Sequence, residues 1–382
     1  MKKREPGIKR NRLSGRAAIA YFFYLLAVVV IALEIFLRMY NPFSFRQKGD
    51  RVLLPRNRIM KFSNEAIPVL PRQIIHTKNS MGFRGPEMPL KFPPLHSVIA
   101  VGGSTTECFY LDDSSCWTAK LALRLKKKFP DSWVNNAGFQ GHSTYGHFIL
   151  INEFIKYLHP GYILMMVGCN EVNRHDIGRD ESLSKKSSHN SPWGWLKRNS
   201  EVVELLINLH RLLLAERLHV VDRYVDLKTH PNGFLVLSQA TLDSLIRTEQ
   251  PLVDAYRQRL ERIADTCQAN HIRLVLITQP SLFGKGRDPV TGCDLETYIL
   301  YPNYNGLAWW KVLEMYNTVT RQLAASRHLP LIDLAAAMPK SSRYFYDFCH
   351  FTPEGAGLVG DIIAAGLQED MDKQPPESGK GF

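Results

Sequence analysis

The groups in this 382-residue chain best suited to nucleophilic chemistry are one serine, one histidine and one aspartate. Ser104 follows two glycines in Val101-Gly102-Gly103-Ser104-Thr105-Thr106, and His350 follows Asp347 by three residues in Asp347-Phe348-Cys349-His350. A hydroxyl is a poor nucleophile until a neighbouring base takes its proton, and imidazole titrates close enough to neutrality to do so. A carboxylate bonded to Nδ1–H holds the ring with Nε2 aimed at the hydroxyl. Thr352 and Pro353 read as an N-cap and first helical residue, which leaves Asp347 and His350 in the loop just before a helix. Two further segments, Asn136-Ala137-Gly138-Phe139-Gln140-Gly141 and Val167-Gly168-Cys169-Asn170-Glu171, offer a backbone N–H or a side-chain amide of the kind that stabilises a developing oxyanion.

Each segment alone also has a plainer reading. Gly-Gly-Ser-Thr is compatible with a phosphate-cradling turn, although it has neither the lysine of a P-loop nor a third glycine at dinucleotide spacing. A G-x-S-x-G elbow is absent from the sequence: in Gly141-His142-Ser143-Thr144-Tyr145-Gly146 the second glycine comes one residue late, and Ser143 reads as a helix N-cap. The asparagine and glycine segments match ordinary strand-to-helix turns, and a lone histidine is more often structural.

Their positions along the chain bind them together. Short continuous apolar runs mark strands at Ser97 to Val101, Trp133 to Asn136, Tyr162 to Val167, Ile272 to Thr278 and Leu329 to Ile332. Helical patterns lie between and after them, over Trp117 to Lys128, Thr144 to Leu158, Leu252 to Ala269, Leu307 to Arg327 and Pro353 to Leu367. This alternation predicts an α/β fold, a three-layer α/β/α sandwich around a parallel five-stranded sheet. The chemical segments then fall at the carboxyl ends of strands, where such folds build their sites. A long insertion, residues 174–250, separates the third and fourth strands and suits a lid or pocket wall. Eight prolines between Pro42 and Pro94 predict an extended stalk over 38–95, and the polar residues 368–382 read as a disordered tail.

A net charge of +12 invites a nucleic-acid reading, but half of it comes from seven basic residues set against Glu5 within residues 1–16. The remainder is spread over the rest of the chain without a recognition motif, so no nucleic-acid partner is expected. Ala17 to Leu33 is an uninterrupted apolar run extended by Ile35, Phe36 and Leu37, and it predicts a transmembrane helix over 17–37. The basic cluster before it places the N-terminus in the cytoplasm and the rest outside, in the periplasm or at the cell surface. A cleavable signal peptide is disfavoured by the length of the run and by the Leu-Glu-Ile-Phe that ends it; a soluble core helix would show a polar face. The six cysteines, Cys108, Cys116, Cys169, Cys267, Cys293 and Cys349, lack zinc-site spacing. Cys169 and Cys349 precede two of the candidate residues and could approach the ~4.4–6.8 Å needed for a disulfide.

Taken in order, Gly-Gly-Ser104, Asn-Ala-Gly-x-x-Gly141, Gly-x-Asn170 and Asp347-x-x-His350 resemble blocks I, II, III and V of the SGNH (GDSL-type) hydrolases. The resemblance covers about residues 96–367, and the lead-in Asn79-Ser80-Met81-Gly82-Phe83-Arg84-Gly85 is similar to one in membrane-tethered bacterial members. It implies the flavodoxin-like SGNH fold and a triad of Ser104 as nucleophile, His350 as base and Asp347 as its orienter. The implied oxyanion hole comprises the Ser104 N–H, the Gly141 N–H and the Asn170 amide, with no metal or organic cofactor. This sequence departs from the family where Gly-Asp-Ser-Leu is Gly-Gly-Ser-Thr and where the aspartate after the block III asparagine is Glu171. The implied reaction is hydrolysis of an acyl ester, on a glycan or lipid. O-acyl transfer to a cell-surface polysaccharide and a non-catalytic carbohydrate-binding module are the alternatives on the same fold.

Overall fold

The apolar runs become the inner strands of a sheet buried on both faces. The structure, a computed structural model, describes residues 15–40, 47–48, 51–52, 54–90, 96–172, 192–217, 224–229, 233–302 and 304–373. Most of the expected basic tail (1–16), residues 174–191, 218–223 and 230–232 of the insertion, and residues 374–382 lie outside these. The chain divides into two compact units, one of Met1–Leu53 with Lys186–Val220 and one of Leu54–Lys185 with Val221–Phe382.

In the larger unit an antiparallel hairpin comes first, β1 (Arg58–Ser63) with β2 (Gln73–Lys78). The sheet follows: β3 (Ser97–Gly102), β4 (Trp133–Asn136), β5 (Tyr162–Met166), β6 (Arg273–Ile277) and β7 (Leu331–Ile332). All its pairings are parallel and its spatial order is β4-β3-β5-β6-β7. Every residue of β3, β4 and β5 is buried, as strands covered on both sides must be. The chain moves outward from β3 in one direction to β4 and then returns to β5 on the other side. The order therefore reverses between β3 and β5, and the carboxyl ends of these two strands frame the crevice where open α/β sheets bind ligands.

Helix α1 (Gly15–Met39) opens the smaller unit and is described below; α2 (Ser104–Glu107) follows β3 in the larger one. Of the longer helices there, α3 (Trp117–Lys128) precedes β4 and α4 (Thr144–Glu153) follows it. The expected N-cap at Ser143 forms, its hydroxyl accepting from the Tyr145 N–H at 3.3 Å. The smaller unit also contains α5 (Pro192–Asn199) and α6 (Glu201–Arg217). The larger unit continues with α7 (Gln239–Ala269), α8 (Gly306–Arg327) and α9 (Pro353–Asp372). Helices α3 and α9 pack together, while α7 packs against both α4 and α8. The core lies between these groups and the sheet, with Trp117, Leu121, Ile363 and Leu367 among its buried side chains.

The structure departs from expectation in four places. Residues 54–90 of the expected stalk are folded: beyond the hairpin, Met81, Phe83 and Arg84 are buried, and the Arg84 and Asn136 backbones bond to each other at the edge of β4. Their prolines punctuate a compact loop instead of extending the chain. Helix α7 begins at Gln239 and runs through Pro251, so the last residues of the expected insertion are helical; Ser238 caps its start by accepting from the Thr241 N–H at 3.2 Å. The insertion is itself divided, with Lys186–Val220 grouped with the N-terminal helix and its remainder in the larger unit. The expected disordered tail begins too early, because α9 continues to Asp372: Met371 is buried and the Asp370 carboxylate receives the Arg273 guanidinium at 2.6 Å.

Candidate active site

Strand β3 ends in Gly102 and Gly103, and the short helix α2 starts at Ser104. Gly103 is extended (φ −82°, ψ −150°), so the left-handed freedom of glycine is not what the turn uses. The need is for space: a Cβ on Gly103 would collide with the Asn170 amide, and one on Gly102 would collide with the Thr106 side chain and the Met166 carbonyl of β5. The double glycine thus lets the Ser104 turn press against the end of the neighbouring strand.

His350 reaches this turn from the loop before α9. That helix starts as its sequence implies, with the Thr352 hydroxyl accepting from the Gly355 N–H at 3.0 Å and Pro353 first in the helix. Asp347 is fully buried, and its Oδ1 accepts from the backbone N–H groups of Cys349 (2.9 Å) and His350 (2.7 Å). Its Oδ2 lies 2.6 Å from His350 Nδ1, and His350 Nε2 lies 2.7 Å from Ser104 Oγ. With the Nδ1 proton directed at the carboxylate, Nε2 is left to accept from the Ser104 hydroxyl. The Tyr346 ring stacks on the imidazole at 5.5 Å and 10°, fixing its plane. Asp347, Cys349 and His350 also bring three potential metal-ligand atoms within 4.8 Å of one another. The carboxylate and Nδ1 already engage each other in that group, and Nε2 faces the serine, which is the geometry of proton transfer.

Asn170 follows β5, and its Nδ2 donates to the His142 carbonyl at 2.9 Å while lying against Gly103. The amide nitrogen carries a second N–H and lies beside Gly103, next to the Ser104 turn. Gly141 sits in an exposed turn with φ +72°. It is one residue outside the small cavity beside Ser104, whose lining includes Gly103, His142, Gly168 and Asn170. That cavity measures about 10 Å³, and another of about 10 Å³ on the other side of Ser104 is bounded by Tyr110, Leu111, Tyr346 and His350. The structure therefore brings Ser104, Asp347, His350 and Asn170 together and leaves Gly141 at the rim. Cys169 and Cys349 are free thiols, as are the other four cysteines.

The residues that hold the Ser104 turn in place are mostly ones to which the sequence assigned no role. Glu107, the last residue of α2, is buried; its carboxylate pairs with the buried Lys78 ammonium at 3.2 Å and accepts from the Gln140 N–H at 2.7 Å. Arg84, from the lead-in motif, donates to the carbonyls of Glu107 (2.6 Å), Cys108 (2.8 Å) and Leu111 (2.8 Å) and to Asp113 Oδ1 (2.8 Å). Burial pushes the Asp113 carboxyl up, but Arg84 and the Thr77 hydrogen bonds outweigh it and hold it below the usual range. His76 is fully buried among these groups against the Phe109 ring, and burial, then Arg84 and Lys78, lower its pKa to about 3. Glu171, the departure after Asn170, caps α4 by accepting from the Thr144 N–H at 2.5 Å and pairs with Arg259 at 2.8 Å. Of these residues the sequence marked Arg84, through its motif, and Glu171, as a departure from the family pattern; Lys78, Glu107 and His76 lie at scattered positions that carry no motif.

A parallel sheet of this order with a serine, histidine and aspartate at its switch point defines a GDSL-type α/β architecture. The chain belongs to the GDSL-like lipase/acylhydrolase family, whose model matches residues 100–358. Among solved structures it is similar to the acetyl xylan esterase AlAXEase, with 15% identity over 71% of this chain and 99% of that one and a TM-score of 0.41. LAE5, an α/β hydrolase from the metagenome of Lake Arreo, Spain, shows 12% identity over 72% and 97%, with a TM-score of 0.41. A G-D-S-L family protein from Desulfitobacterium hafniense DCB-2 shows 12% identity over 71% and 99%, with a TM-score of 0.39. No curated protein matches the chain in sequence.

Proposed function

We propose that this chain is a membrane-anchored serine esterase acting outside the cytoplasm, with Ser104, His350 and Asp347 as its triad. The observation that carries the reading is the unbroken line of hydrogen bonds from Asp347 Oδ2 through the imidazole to Ser104 Oγ. In the reaction Ser104 Oγ attacks the ester carbonyl while Nε2 takes its proton, and the charge left on the carbonyl oxygen is met by the Asn170 amide and the Ser104 N–H. As the first residue of a helix, Ser104 has no carbonyl one turn earlier to engage that N–H. The Gly141 N–H completes the hole by closing in from the rim. The imidazolium then protonates the departing alkoxide as the C–O bond breaks. Water, deprotonated by the same nitrogen, attacks the acyl-enzyme, and the acid leaves with the serine restored.

The cavities beside Ser104, each about 10 Å³ and so roughly water-sized, favour a short acyl group over a long one. A cavity of about 330 Å³ bounded by Tyr224, Lys228, Val290, Arg343 and Phe345 favours a second reading, O-acyl transfer to a polysaccharide hydroxyl bound there. Its wall joins the catalytic loop, since the Val225 N–H donates to the Tyr346 carbonyl. One helix, Gly15–Met39, is long and apolar enough to cross a membrane, and it supports an anchor with the N-terminus in the cytoplasm. The test is turnover of aryl esters of increasing chain length by the purified full chain. Acetyl esters are cleaved fastest, butyryl and longer esters progressively more slowly, and Ser104→Ala cleaves none; turnover unchanged in Ser104→Ala contradicts the proposal.

A further inference from the structure

In the smaller unit, α6 buries a glutamate and exposes two leucines, with His210 exposed beside them, which is not the burial pattern of a helix on a water-soluble surface. Glu204 is 1% exposed, its carboxylate receiving the Asn208 amide at 2.6 Å, whereas Leu206 is 59% and Leu209 47% exposed. The preceding helix, α5, exposes Trp193 (55%) and Trp195 (60%). A soluble amphipathic helix hides its leucines and wets its glutamates. The reversed arrangement is stable where the surroundings are hydrocarbon, with the polar atoms satisfied inside and the apolar ones outside.

These helices are joined to the end of α1. Glu34 of α1 accepts from the Ser200 hydroxyl at 2.8 Å and from the backbone N–H groups of Glu201 and Val202, both at 3.1 Å. A carboxylate from one helix thereby caps the N-terminus of another, where the helix dipole favours negative charge. Arg38 closes the junction by donating to Glu34 and to the Asn199 carbonyl. Apart from Leu37, the apolar side chains of α1 are likewise not buried, so α1 and α6 both present outward apolar side chains.

We infer that residues 192–217 form a second membrane element, in which the Leu206 and Leu209 side of α6 faces lipid acyl chains and Trp193 and Trp195 lie at the headgroup level. Indole rings favour that level because one edge is apolar and the other donates a hydrogen bond. The inference rests on the reading of α1 as a membrane helix. It adds that α1 is retained in the working protein, since cleavage after it would strip the cap from α6.

The test places a photoactivatable benzophenone side chain singly at Val29, Leu206, Leu209 and Leu123 of the full chain in phosphatidylethanolamine–phosphatidylglycerol vesicles. Lipid adducts are read by mass spectrometry. Val29 and Leu123 are both exposed, the first on α1 and the second on α3. The expected result is lipid adducts at Val29, Leu206 and Leu209 and none at Leu123, with adducts at Leu206 lost and those at Val29 kept when Glu34→Ala is added. Adducts at Val29 alone overturn the inference and leave the anchor standing. Adducts at none of the positions remove the anchor as well. Crosslinks from Leu206 or Leu209 to a second protein chain replace lipid with a chain–chain interface, and labelling of Leu123 equal to the rest also overturns the inference.

Discussion

The proposed chemistry depends on side chains whose separate losses carry different signatures. Asn170→Ala leaves the serine and its base in place and removes one oxyanion donor, so kcat falls about 10²- to 10³-fold with little change in KM. Asp347→Asn frees the imidazole to take the wrong tautomer, and kcat falls by as much as ~10⁴-fold in steady-state assays while the fold is kept. Arg84 offers a contrast away from the reacting atoms. Its guanidinium satisfies three buried carbonyls and the Asp113 carboxylate, so Arg84→Leu strands all of them. Loss of one partner from such a buried network costs roughly 3–5 kcal/mol, which urea unfolding measures as a lowered midpoint. Arg84→Lys recovers little of it, because an ammonium cannot reproduce the planar fork.

At the scale of elements, the hairpin Arg58–Lys78 carries His76 inward against Phe109, and its buried ring stays neutral with a pKa of about 3 against an ordinary 6.5. Between those two values the unfolded chain binds a proton that the folded one refuses. Stability therefore falls as pH drops from 6.5 toward 3, by about 1.4 kcal/mol per pH unit from this group. His76→Leu flattens that acid limb by one proton in pH-dependent denaturation; an unchanged slope contradicts the assignment. The same hairpin marks the limit of what the sequence made legible. The sheet strands were readable because both their faces are buried and their apolar runs are continuous, and the loop before α9 was readable from Thr352-Pro353. The first hairpin strand buries no residue, and the second alternates buried with less buried ones, the buried ones including His76 and Lys78, so no apolar period announced them. Helix α7 begins before its expected start because Pro251 reads as a boundary, whereas Glu249, two residues earlier, is tied into the core by the Tyr316 hydroxyl at 2.6 Å. In the site, Ser104, Asn170, Asp347 and His350 were visible from residue type and order, while Lys78 and Glu107 acquire meaning only once the fold pairs them.

In the whole molecule an apolar N-terminal helix precedes a hydrolase-family domain whose crevice lies at the carboxyl ends of β3 and β5, where the strand order reverses. Protease added to intact spheroplasts is expected to digest the chain beyond residue 40, and full protection would contradict the topology. The claim on which all else depends is that Ser104 is an activated nucleophile. The direct measurement is labelling of the full chain in detergent with a fluorophosphonate probe, followed by peptide mapping. The account predicts one adduct, on Ser104, that disappears in Ser104→Ala and is strongly slowed in His350→Ala, since a triad fails as a unit. A correctly folded protein that takes up no probe, or takes it up on another serine with Ser104→Ala unaffected, would contradict it.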